Sequence, residues 1–83
     1  MPRRLDHKRT AQAFGRLLRK RRMELGLTQY ELAHQSGIDI SFLSRMERGL
    51  TQPSIGTFLQ LASAVDVSPV EWIGHLVRLD GKQ

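Results

Sequence analysis

Residues 28–49, TQYELAHQSGIDISFLSRMERG, hold two short helix-like segments separated by one glycine. The first opens with Thr28-Gln-Tyr-Glu31, a hydroxyl and a carboxylate three residues apart. That is the reciprocal pattern that satisfies two orphan amides at a helix start. Leu32 and Ala33 should face inward, and Gly37 breaks the segment. Asp39, a good N-cap, should begin the second segment, which ends near Arg48 with Gly49 beyond it. Helices of two or three turns are poor structures alone, because nucleation costs more than so few hydrogen bonds return. Packing must therefore set their geometry, and the outward face of the second segment indicates its use.

At 100° per residue, Leu43 and Met46 point to one side of this second segment, with Ile38 just before it adding to the same core. Ser41, Ser44, Arg45 and Arg48 fall on the other side at spacing i, i+3, i+4, i+7. Two serines keep the N-terminal half slim, and two arginines supply long, forked donors. Such a face can enter the major groove, where Arg pairs with guanine O6 and N7 and Ser reaches several base edges. A solvated face on an ordinary helical hairpin would have the same polarity, and the stripe alone favours that plainer reading.

The rest of the chain reads as helix throughout. A first helix is expected from about Lys8 to Leu25, with Ala11, Phe14, Leu17, Leu18 and Leu25 on its apolar face and Gly26 just past its end. Ser54 should cap a fourth helix whose stripe is Ile55, Phe58, Leu59, Ala62 and Val65. Ser68-Pro-Val-Glu71 repeats the capping box, with proline at the first helical position, and a fifth helix runs to about Leu79. With five helices and no strand signal, an all-α, compact five-helix bundle is expected. Residues 1–7 are expected to form a flexible basic arm, 8–79 the domain and 80–83 a frayed tail.

The 83 residues suffice for one small core. The absence of cysteine excludes disulfides and thiol chemistry, and no apolar run reaches membrane-span length. A soluble cytoplasmic protein is expected. The net charge of +5 is unevenly spread. Residues 1–22 carry nine Lys/Arg against Asp6, or +8, while residues 23–83 carry four against seven acids, or −3. A basic block of this kind suits a polyanion, although a solvated surface would carry it equally well.

The stretch from Phe14 to Ile73 closely resembles the Cro/phage-repressor (XRE-type) helix-turn-helix family. The shared marks are GLTQ opening the second helix, ELA, the turn glycine, SRMERG closing the third, QPSIGTFLQLA in the fourth and VDVSPVEWI entering the fifth. The resemblance implies a bundle of the phage-repressor DNA-binding-domain type, with the third helix in the major groove and the protein a dimer that regulates transcription. Carried over position by position, Ile40, Ser41, Ser44 and Arg45 match base-facing positions, and Thr28, Gln29 and Arg48 match phosphate contacts. Arg22 and Glu47 resemble a pair forming a partly buried salt bridge in several relatives. Glu47 borders the Leu43/Met46 face and would need a cation if desolvated.

Two positions depart from the family pattern. Arg21 stands where relatives often carry leucine; Leu25 is expected to replace that leucine while Arg21 snorkels outward. Ile40 is apolar where relatives often carry a polar reader. It either rests on a thymine methyl or tucks against Asp39.

His7, His34 and His75 lie far apart without a metal-binding spacing, no glycine-rich loop leads into a helix with lysine, and no nucleophile system is positioned. Neither metal, cofactor nor enzymatic activity is expected. The leading function is a sequence-specific regulator of double-stranded DNA, a repressor acting as a homodimer on a palindromic operator. An antitoxin that binds a toxin and autoregulates its operon is the alternative, and an RNA-binding or coactivator-bridging module a third. No ligand-sensing domain is expected after Trp72, so any signal is expected to act on expression, proteolysis or a partner. In the fifth helix Trp72, Ile73 and Leu76 form one stripe, which the resemblance places against helices one and four. Val70, Ile73 and Val77 form a second stripe, expected to be the dimer interface unless the N-terminal helix covers it.

Overall fold

The computed structural model describes residues 6–81, except the side chains of 79–81. They form five helices, α1 (His7–Glu24), α2 (Gln29–Ser36), α3 (Ile40–Glu47), α4 (Ile55–Ala64) and α5 (Pro69–Gly81). Each start has a local cause. Asp6 accepts from the amides of Lys8 and Arg9, and Thr28 and Glu31 complete the reciprocal box. Asp39 accepts from Phe42, and Ser54 from Thr57. Ser68 Oγ accepts from the Glu71 amide at 3.4 Å. Helix α1 starts one residue earlier than expected and ends one earlier, and α5 continues two residues past Leu79. Residues 1–5 of the expected arm lie outside the described residues.

Helix α1 packs against α3 and α5, α2 against α3 and α4, and α4 against α5. The core is Phe14, Leu18, Leu32, Ile38, Leu43, Met46, Phe58, Leu61, Ala62, Val65 and Trp72, with Phe14, Phe58 and Trp72 in mutual ring contact. Burying each large side chain contributes about 1.5–3 kcal/mol. This is what orders α2 and α3, each 8 residues long and unstable alone.

Four core assignments change. Leu25 is 40% exposed because it is the C-cap of α1, where the chain leaves the bundle, and Leu27 packs on the core instead. In α4, Ile55 and Leu59 are 80% and 48% exposed, whereas Leu61 is fully buried. The buried arc is centred on Phe58 and Val65, and α5 and α2 leave the Ile55 edge uncovered. Ile73, expected against helices one and four, is 49% exposed beside that same edge.

Arg21 does not snorkel into solvent. Its Nε donates to the carbonyl of Val65 at 2.9 Å and Nη2 to that of Asp66 at 3.5 Å. A cation is thereby set on the C-terminal carbonyls of α4, where the helix dipole favours positive charge.

Candidate nucleic-acid interface

Gly37, at φ +72°, adopts the left-handed conformation that lets α2 stop and α3 begin within three residues. Its amide donates to Ala33. The buried Ser36 hydroxyl donates to Leu32 O at 2.7 Å, and the Gln60 side chain of α4 donates to Ser36 O. The carbonyls of Leu32, Ala33 and Ser36 at the end of α2 therefore find their partners within the protein. On α3, Leu43 and Met46 are fully buried. Ile40, Ser41, Ser44, Arg45 and Arg48 line one shallow depression on the opposite side. Ser41, Ser44, Arg45 and Arg48 stand together as their spacing predicts, and Ile40 joins them. Ile40 is 42% exposed, so it borders this depression rather than tucking away. The Arg45 guanidinium lies 5.8 Å from the Phe42 ring centroid, a contact that narrows its choice of direction.

The depression is held in place from behind. Arg22 and Glu47 form a fork, with Nε to Oε2 at 2.6 Å and Nη2 to Oε1 at 2.8 Å, and their side chains are only 12% and 2% exposed. Arg22 Nη1 also donates to Leu27 O at 2.8 Å, tying α1 to the turn before α2. Hydrogen bonding to Glu47 raises the Arg22 pKa above its ordinary value; burial pulls it down, and charge attraction adds to the rise. Gln29 Nε2 donates to Glu47 Oε1 at 3.0 Å. One amide hydrogen of Gln29 is thus committed to the ion pair, and the second remains available to an external acceptor. Thr28 has its amide occupied by Glu31 Oε1 at 2.8 Å, which leaves its hydroxyl hydrogen as its outward donor. Thus α1, α2 and α3 share one buried polar network.

Close packing of α1 on α3 adds a feature that spacing did not reveal. A Cβ at Gly15 would stand 2.4 Å from Met46 O and 2.8 Å from Glu47 O, so only glycine lets the two backbones approach. Gly49, at φ +74°, is similarly pressed on Gln12, 2.8 Å from a would-be Cβ. The available signal was a glycine inside a strongly helical pattern, where it costs about 1 kcal/mol relative to alanine.

A helix-turn-helix family model, HTH_3, matches residues 18–72. The chain belongs to the HTH_3, XRE-type helix-turn-helix family. This HTH_3 chain is 44% identical over 52 residues to y4dJ of Sinorhizobium fredii, an uncharacterised HTH-type transcriptional regulator; the match spans 63% of this chain and 68% of that protein. Among solved structures, the restriction-modification controller protein C.AhdI of Aeromonas hydrophila is 40% identical with TM-score 0.71, over 75% of this chain and 94% of its own. The controller protein C.Esp1396I, solved as a tetramer with its natural 35 base-pair operator, is 26% identical with TM-score 0.75, over 88% and 96%. DNA binding and transcription regulation are the business of this family, which is not an enzymatic one. Among the described residues, no helix is long and apolar enough to cross a membrane.

Proposed function

We propose that this HTH_3 chain is a sequence-specific regulator of double-stranded DNA that works as a homodimer, with α3 in the major groove. The observation that carries the reading is the outward face of α3, a slim end of Ser41 and Ser44 followed by Arg45 and Arg48, backed by a buried ion pair. Ile40, Ser41, Ser44 and Arg45 read bases. Thr28, Gln29 and Arg48 hold phosphates. Ile40 beside the serines suits a thymine methyl.

Pairing is supported by α5. Val70, Ile73 and Val77 are 78%, 49% and 64% exposed, and the first two line an apolar groove of about 560 Å³ with Ile55 and Leu59 of α4. A surface of this kind on a small domain favours burial against a second copy. Two-fold pairing matches a palindromic operator whose half-sites lie about 34–36 Å apart. A dimer seated over promoter DNA excludes polymerase, which is the basis for proposing repression.

The test is selection of bound duplexes from a random-sequence pool, followed by Arg45→Ala. The variant should lose about 1–3 kcal/mol of discrimination at one base position per half-site. Equal weakening on every sequence would make Arg45 a phosphate contact. Recovery of no preferred sequence would refute the proposal.

A further inference from the structure

The solvent side of α1 plays no part in the reading above. At about 100° per residue, Lys8, Arg9, Gln12, Arg16, Arg19, Lys20 and Met23 fall within an arc of roughly 120°. All but Gln12 are exposed. No acid shares that arc. Asp6 is engaged as the N-cap, and Glu24, at its edge, pairs with Arg21 at 3.4 Å. Among the described residues, Arg16, Arg19 and Lys20 enter no ion pair. Arg16 stands three residues from Arg19 and four from Lys20, spacings at which like charges destabilise a helix. The side chains facing solvent therefore repel one another, and α1 is held by its packed side.

The position of the arc selects the polyanion. Gly49, which follows the α3 exit, presses on Gln12 in the middle of the arc, and α3 itself meets α1 at Gly15. The arc thus adjoins the end of the reading helix, next to Arg48, while the buried side of α1 meets α5. From Lys8 to Lys20 is about 18 Å of helix, a length beside which one DNA strand offers about five phosphates.

We infer that Arg16, Arg19 and Lys20 form a second phosphate track that grips the backbone of the operator duplex beyond the base pairs α3 reads. This rests on the DNA-binding function proposed above. The track adds affinity and salt dependence without adding sequence preference. Its occupant is flanking duplex, because the polyanion bound at α3 is the one its position brings within reach.

The test uses the sequence recovered from the random pool, placed in a minimal duplex of about 20 base pairs and in one carrying about 10 more on each side. Wild-type protein should bind the longer duplex more tightly, with a salt slope steeper by about 0.9 for each added phosphate contact, or about 2.7 for three. The variant Arg16→Gln/Arg19→Gln/Lys20→Gln, whose residues keep helix propensity, should bind the short duplex like wild type and gain nothing from the flanks. Unchanged helicity by circular dichroism confirms that it folds. Length-independent binding by wild type, a variant that keeps the gain, or one equally weakened on both duplexes would each overturn the track. A variant that matches wild type on both lengths but fails to regulate a reporter would assign the face to an acidic protein surface instead. Loss of sequence preference would refute the regulator, whereas loss of length dependence alone refutes only the track.

Discussion

Replacing Glu47 with alanine should be the most damaging change to this domain that leaves its apolar core intact. Glu47 accepts from Arg22 Nε at 2.6 Å, Arg22 Nη2 at 2.8 Å and Gln29 Nε2 at 3.0 Å. Without the carboxylate, Arg22 keeps one partner, Leu27 O, while its side chain is 12% exposed. Breaking a buried pair from one side costs about 3–5 kcal/mol. The residual access of water to Arg22 lowers the expectation to about 2–4 kcal/mol, a large share of the stability of a small domain. With a urea m-value of about 1 kcal/mol/M, the unfolding midpoint should fall by about 2–4 M. Arg22→Met/Glu47→Leu should recover most of this, because replacing both charges with apolar groups leaves neither unpaired.

The pH dependence carries its own sign. Arg22 has its pKa raised above the ordinary arginine value, so its contribution is fully present below that ordinary value and is lost only as pH rises through the raised one. As far as Arg22 is concerned, the midpoint difference should be the same at neutral and mildly alkaline pH. A Glu47→Ala shift below about 0.5 M, or a double mutant that simply adds the two losses, would mean the pair is solvated and the argument is wrong.

Three further outcomes follow from the packing. Gly15→Ala should destabilise by about 1–3 kcal/mol in thermal melts, since the Cβ meets two backbone oxygens of the α3 end; a gain of stability from the better helix former would disprove that close approach. Arg21→Met should cost about 1–2 kcal/mol by removing the donors from the α4 C-terminus, with DNA sequence preference unchanged. Val70→Glu together with Val77→Glu should give a folded monomer by sedimentation with weak operator binding; a double mutant that remains dimeric would move the interface elsewhere.

Local chemistry by itself determined a great deal here. The caps Thr28, Asp39 and Ser54, the left-handed glycines 26, 37 and 49, and the division of α3 into Leu43/Met46 against Ser41, Ser44, Arg45 and Arg48 all follow from hydrogen bonding and helical period over a few residues. The Arg22–Glu47 pair was also legible, because a carboxylate on the rim of an apolar face requires a cation and the family pattern nominates one.

Tertiary structure decided how wide each apolar face is covered and from which side. A wheel for α4 cannot say whether Ile55 or Leu61 lies under a neighbour, since the two flank the same stripe; packing of α4 against α2 and α5 buries Leu61 and leaves Ile55 to the groove. Nor could spacing give Arg21 to the end of α4, 44 residues away, or add Gln29 to the Glu47 carboxylate. Gly15 is the plainest case. Its helical cost is visible in the chain, but its cause, two backbones too close for a methyl group, exists only once α1 and α3 cross.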